Sequence, residues 1–124
     1  VRDVPAGGTV GYGAAETLRR DRRIAVVGGG YADGYARGAG AADGRPGASA
    51  FVRGRRVPLA GRVSMDLLAL DVTEVPDVRR GDWAELFGAN IPVDEVASRA
   101  GTIGYEYLTG LGARYARTYT GRAP

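Results

Sequence analysis

Hydrophobic positions in this chain fall in short runs broken by glycine, and only the last third carries a helical rhythm. Thr9-Val10-Gly11-Tyr12-Gly13 reads as a first short strand. Ile24 to Gly28 is apolar on both faces, the pattern of a buried strand, and runs into Gly28-Gly29-Gly30, where the backbone can turn or approach a neighbour closely. Ala48 to Val52 and Val57 to Ala60 flank Arg53-Gly54-Arg55-Arg56, a hairpin signal. Leu67 to Val72 is a further strand, and Trp83 to Phe87 alternates after the turn Arg80-Gly81-Asp82. Val93, Val96, Ala97 and Ala100 share one face of a helix over Val93 to Ala100, with Pro92 at its start and Gly101 at its end. Thr102 then reads as the N-cap of a second helix ending near Gly110 or Gly112. Arg114 to Thr120 alternates as a last strand, and residues 36–47, rich in small side chains, read as a mobile loop. The sum is a mostly β fold of six to eight short strands and two late helices. Many short antiparallel strands must hide their edges, so the expected architecture is a small closed or nearly closed β-barrel or a sandwich.

Composition narrows the class. A chain of 124 residues is one domain, residues 1–124, and at 44% hydrophobic it has material for a packed core. Gly is 21 of 124, about twice the usual share, which suits strands joined by tight turns. There is no cysteine and no histidine, so no disulfide framework or thiolate metal site is available, and carboxylates alone are a poor donor set for zinc or iron. No apolar run approaches the ~20 residues of a membrane span. The start, Val1-Arg2-Asp3, lacks the regions of a signal peptide and lacks Met, so an excised piece of a longer cytoplasmic chain is one expectation and a tag-cleaved protein another. The net charge is +3, with every cation an arginine. The arginines pair at 19–20, 22–23, 55–56 and 79–80, each pair beside acids or a turn. That is a sign-mixed solvated surface rather than a nucleic-acid footprint.

The chemistry is bounded by what is missing. Seven tyrosines and seventeen arginines stand with no lysine, histidine or cysteine. The usual general base, Schiff-base amine and thiol nucleophile are absent, so any reaction here uses Tyr, Arg, carboxylates, hydroxyls or backbone, or borrows groups from another domain. Four stretches could carry it: Val10-Gly11-Tyr12-Gly13, Gly30-Tyr31-Ala32-Asp33-Gly34-Tyr35, Gly61-Arg62-Val63-Ser64-Met65-Asp66 and Gly101-Thr102-Ile103-Gly104-Tyr105-Glu106. A phenol flanked by glycine has no bulky neighbour and can project into a cleft; the alternative is a turn with an aromatic plug. A tyrosine base needs its pKa of roughly 10 lowered by nearby positive charge. Arg62 and Arg37 are candidates, as are groups from another domain. The segment from Arg62 to Asp66 can offer backbone N–H groups and a guanidinium to a carboxylate, or can simply close a turn through an Arg62–Asp66 pair. Met65, the only methionine, reads by itself as core filler. Gly28-Gly29-Gly30 follows a strand but leads into no helix pattern, which leaves it without a phosphate-binding fingerprint.

In this order the four stretches resemble the C-terminal domain of bacterial alanine racemase, a fold-type III pyridoxal-phosphate enzyme, over essentially the whole chain. The resemblance implies an N-terminal (β/α)₈ barrel outside this chain that holds pyridoxal 5'-phosphate through a lysine. It also implies a head-to-tail homodimer in which each site joins one barrel to the partner's β domain. Tyr12 then corresponds to the tyrosine base opposite the lysine, and Met65 to the residue whose backbone N–H binds the substrate carboxylate. Tyr105 corresponds to the tyrosine on the cofactor phosphate, while Tyr31, Arg37, Arg62 and Asp66 fall at the substrate entrance. Ser64 stands where the family often has Cys. Gly104 stands where Asn is common, implying a looser first turn of the second helix. The implied reaction is interconversion of L- and D-alanine for peptidoglycan precursors, with the isolated domain inactive. Alternatives are a racemase of another small amino acid such as serine, or a non-catalytic β-barrel interaction module. A fold-type III decarboxylase fits less well, because its C-terminal domain relies on a cysteine-bearing loop. The face that packs on barrel and partner is expected to be apolar, making self-association of the excised domain plausible.

Overall fold

A computed structural model of the chain describes residues 1–121. Its strands are β1 (Arg2–Val4), β2 (Thr9–Val10), β3 (Glu16–Thr17), β4 (Arg22–Val27), β5 (Ser49–Val52), β6 (Arg55–Ala60), β7 (Leu68–Asp71) and β8 (Ala84–Glu85). The helices are α1 (Val93–Arg99) and α2 (Gly104–Thr109). Six strands form one antiparallel sheet in the order β1-β4-β7-β6-β5-β8, and β2 and β3 pair separately as a ribbon.

The expected hairpin is β5–β6. Val52 pairs with Arg55, and the two loop residues Arg53 and Gly54 both take positive φ, 47° and 80°, the twist that lets a two-residue loop join antiparallel strands. Period-two alternation sends Ala50, Val52, Val57, Leu59, Leu68 and Leu70 into one core. Their cross-strand partners match, Ala50 with Val57 and Leu70 with both Leu59 and Ala25. α1 and α2 cover that core with Val96, Ala97 and Tyr107, and Tyr107 meets Tyr35 and Phe87 edge-on at 5.8 and 5.9 Å. On the opposite face Ile24 and Ala60 pack with Val4, Val10 and Leu18, so the ribbon roofs a second small core. This is why β4 reads as apolar on both faces at Ile24 and Ala25, whereas Val26, beyond the end of β1, is exposed.

β1 and β8 are not paired with each other. A cleft of about 120 Å³, lined by Val1, Val26, Val52 and Ala84 among others, lies between these edges. The sheet is thus a nearly closed barrel. Among the described residues no helix is long and apolar enough to cross a membrane.

Several local expectations are corrected. Arg114 to Thr120 is turn and coil, not strand: Arg114 is drawn to two aspartates, and no described strand pairs with the segment. The first strand stops at Val10, because Gly11 at φ 86° breaks the extended run and a 3-10 turn, Tyr12–Ala14, follows. Trp83 to Phe87 contributes only Ala84 and Glu85 to pairing. Thr102 is not the N-cap of α2. Ile103 takes that position with no side-chain cap, and the Thr102 hydroxyl instead donates to Glu106 Oε1 at 2.7 Å. The first turn of α2 is not loose either. Gly104 is buried so tightly on α1 that a Cβ there would lie 2.2 Å from Asp94 Oδ1 and 3.2 Å from Val93 Cγ1. The loop over residues 36–47 is irregular but anchored. Ala39, Gly40 and Ala41 are buried, and the Ala41 N–H donates to the Gly61 carbonyl at 2.8 Å.

Candidate functional site

Two of the four stretches converge on the third, residues 61–66, which leaves β6 and turns into β7. The first contact is glycine on glycine. A Cβ on Gly11 would lie 2.3 Å from the Arg62 nitrogen, and one on Gly61 would lie 2.4 Å from the Val10 oxygen. Both residues also have positive φ, 86° and 71°. Only glycine satisfies the backbone angle and the approach together. The 3-10 turn that follows presents Tyr12, 66% exposed, with Arg62 Nη1 3.4 Å from where a Gly13 side chain would begin. Glu16 on β3 adds a clamp, its Oε2 accepting the Gly61 N–H at 2.7 Å.

The second stretch lies on the other half of the same segment. A Cβ on Gly30 would fall 2.3 Å from the Ser64 oxygen and 2.5 Å from the Met65 oxygen. That proximity lets the Tyr31 and Ala32 N–H groups donate to these two carbonyls at 3.1 and 3.0 Å. Ser64 closes its own turn, its backbone N–H and its hydroxyl both donating to the Leu67 carbonyl. Met65 sits at the tip, 52% exposed, and among the described residues no acceptor takes its N–H.

A charged clasp closes the loop. Arg114 Nε and Nη2 donate to the two oxygens of Asp33 at 2.7 and 2.9 Å, and Nη2 also meets Asp66 Oδ1 at 2.8 Å. Asp33 Oδ2 further accepts the Gly30 N–H at 3.1 Å. The Arg114 hydrogen bonds hold the Asp33 carboxyl below the usual carboxylate range, against burial, which acts to raise it. The Arg62–Asp66 pair considered from sequence does not form, because Asp66 is taken by Arg114. Among the described residues neither Arg62 nor Arg37 makes an ion pair.

The chain just past α2, which carries the end of the fourth stretch, is tied to the second. Gly34, at φ 95°, backs onto the Gly110 carbonyl, which would lie 2.3 Å from a Cβ there, and the Gly112 N–H donates to the Asp33 carbonyl at 3.0 Å. Tyr105 stands on the first turn of α2, 78% exposed, while Tyr107 two positions on is in the core. Burial raises the Tyr35 and Tyr107 phenols, which suits packing rather than proton transfer. An apolar groove of about 610 Å³ lies elsewhere, lined by Val26, Trp83, Leu86 and Phe87 among others; Tyr12, Tyr31 and Tyr105 do not line it.

The structure therefore brings Tyr12, Arg62, Met65, Asp66 and Tyr31 onto one backbone junction. Tyr105 stands on α2 and makes no contact seen with that junction among the described residues, and Arg37 is exposed on the anchored loop. Glu16, Asp33 and Arg114 complete the junction without a motif of their own in the sequence. Asp33, an acid between Ala32 and Gly34, was the one local hint; Arg114 had none, its partner being 81 positions away.

The family model described as alanine racemase, C-terminal domain, matches residues 1–119. An alanine racemase from Stutzerimonas stutzeri (strain A1501) is 53% identical over 121 residues, covering 98% of this chain and 32% of that protein. The crystal structure of biosynthetic alanine racemase from Pseudomonas aeruginosa superposes with a TM-score of 0.88 at 49% identity, over 97% of this chain and 32% of that one. Alanine racemase from Bartonella henselae with covalently bound pyridoxal phosphate gives a TM-score of 0.84 at 37% identity, over 96% of this chain and 32% of that one. The chain spans about a third of the length of the curated relatives it matches.

Proposed function

The chain belongs to the alanine racemase C-terminal domain family, and from that premise we propose that it supplies one half of an amino-acid racemase site. The other half is a barrel domain that holds pyridoxal 5'-phosphate, in a homodimer where this domain completes the partner's site. The chain's own donor set fits part of that cofactor. With no lysine it has no amine for covalent attachment, whereas the exposed Tyr105 hydroxyl suits a phosphate oxygen. Once bound, the cofactor supplies the electron sink that lets an α-proton leave.

Racemisation requires a proton acceptor on each face of the α-carbon. Tyr12 Oη takes the proton from L-alanine on one face and returns it in the reverse direction; an amine from the barrel serves the other. The Met65 N–H donates to the substrate carboxylate, which fixes the α-carbon relative to Tyr12 because both residues hang on the junction at 61–66. Arg62 adds positive charge beside the Tyr12 turn, and Tyr31, Arg37 and Asp66 shape the approach. Interconversion of L- and D-alanine in the cytoplasm would feed peptidoglycan precursors, and the isolated chain is inactive.

The observation that carries this reading is the pairing of rigid backbone with exposed side groups. Tyr12 and Met65 point away from the fold while glycine contacts closer than any Cβ permits hold their backbones together. Such a surface is built for a partner that brings the missing amine. The test is co-expression of this chain with its matching barrel domain and an assay for D-alanine. Activity is expected from the pair and from neither part alone; turnover by the chain alone, or silence from a folded pair, overturns the reading.

A further inference from the structure

The segment 61–66 is held by two separate clamps. Gly11 and Glu16 grip its first half, beside the Tyr12 turn; the Arg114 clasp grips its second half, where Met65 sits and the Tyr31 N–H docks on the Ser64 carbonyl. We propose that Arg114 is a positioning residue for substrate binding: by bridging Asp33 and Asp66 it holds the Met65 N–H, which meets the substrate carboxylate, at a fixed separation from Tyr31 at the entrance. The inference rests on the reading of Met65 as the carboxylate contact.

The geometry is specific. Asp33 lies two positions after Tyr31, and Asp66 directly follows Met65, so the bridge spans the two backbones beside their functional residues. The Asp33 side chain is 8% exposed and that of Arg114 55%, so the cation caps a carboxylate that has little water of its own. Both Asp33 oxygens are engaged by one planar guanidinium fork, which a lysine ammonium cannot reproduce. The same carboxylate accepts the Gly30 N–H, and Gly30 is the residue whose bare backbone lies against the Met65 carbonyl. Without Arg114, two carboxylates remain with no cation between them, one of them buried, and the loops carrying Tyr31 and Met65 are pushed apart. The Tyr12 turn is tied at the other end of the segment and is left in place. The clasp therefore acts first on carboxylate binding, and on proton transfer only through the α-carbon that this contact places.

The test uses the full-length enzyme that carries this chain. Arg114→Gln is expected to raise KM for alanine, and Ki for propionate as a substrate-sized carboxylate, by about tenfold, with a smaller accompanying loss in kcat. Arg114→Lys, which keeps the charge but loses the fork, should fall between. Asp66→Asn, which leaves the Asp33–Arg114 fork intact, should show a smaller shift of the same kind, and it decides the matter if Arg114→Gln does not fold. Unchanged KM and Ki, or a fall in kcat with no change in either, overturns the proposal. An active wild type with an indistinguishable variant rejects Arg114 alone; a folded wild type with no racemase activity rejects the functional reading and this inference together.

Discussion

Gly11→Ala is the substitution through which the site geometry is most directly tested, and Gly7→Ala is its control. Both glycines have φ of 86°, so both alanines carry the left-handed backbone cost of roughly 1–2 kcal/mol. They differ in what a Cβ meets. At Gly7 nothing lies within 4 Å; at Gly11 the Arg62 nitrogen would be 2.3 Å away and the Gly61 Cα 2.7 Å. Ordinary contact begins near 3.4 Å, so the two backbones must part by about 1 Å, an overpacking cost of roughly 1–3 kcal/mol. Gly11→Ala should therefore lose about 2–5 kcal/mol against about 1–2 for Gly7→Ala. Urea unfolding of the two variants measures the difference. The functional consequence is larger, since a displacement of about 1 Å between Tyr12 and the 61–66 segment is worth up to ~100-fold in turnover. Racemase assays in the full-length enzyme should show that loss for Gly11→Ala and near-normal turnover for Gly7→Ala. Equal loss of stability and equal turnover in the two variants would refute the claim that the glycine contact positions the tyrosine.

Tyr12→Phe in the same enzyme should slow α-deuterium exchange from L-alanine far more than from D-alanine; equal losses reject Tyr12 as a one-face base. In the core, the buried Tyr35 hydroxyl has no partner among the described residues, while Tyr107 Oη accepts the Ala36 N–H at 3.3 Å. Tyr35→Phe should thus be neutral or stabilising by up to about 1 kcal/mol and Tyr107→Phe destabilising by about 0.5–1.5 kcal/mol, read from shifts in Tm. The Asp33 carboxyl is depressed below its ordinary 3.8 by the Arg114 hydrogen bonds. Its contribution to stability is therefore fully present above pH 3.8 and is lost as pH falls through the lower folded value. Asp33→Asn should flatten the acid limb of a stability–pH profile below pH 3.8, and an unchanged limb would show that the carboxylate contributes nothing there.

Much of the fold was legible because its causes are local. Apolar runs on either side of Arg53-Gly54-Arg55-Arg56 specify the β5–β6 hairpin, although Arg55 and Arg56 turn out to belong to β6 and only Arg53 and Gly54 form the loop; four apolar positions on one face between Pro92 and Gly101 specify α1. The short pieces were not legible. β1 buries only Val4, and β3 is two residues long, so neither leaves a periodic pattern. Arg114 to Thr120 alternates like a strand yet is not one, because alternation reports what a strand would bury and says nothing about whether an edge is there to receive it.

The site divides in the same way. The residue types, the glycine-flanked tyrosines and the absence of any lysine, histidine or cysteine are properties of the sequence; by themselves they leave open whether the chain works with phenols and guanidiniums or borrows groups from another domain, and only the family resemblance implies a half-site. Which residues meet is a matter of the tertiary structure. Gly11 needs its missing side chain because Gly61 comes against it from fifty positions away, and Asp66 pairs with Arg114 rather than with the nearer Arg62. Sequence proximity decides turns and helix faces, where backbone geometry alone sets the contact. Ion pairs and glycine contacts between distant segments depend on how the sheet stacks those segments, and only the packed chain decides that.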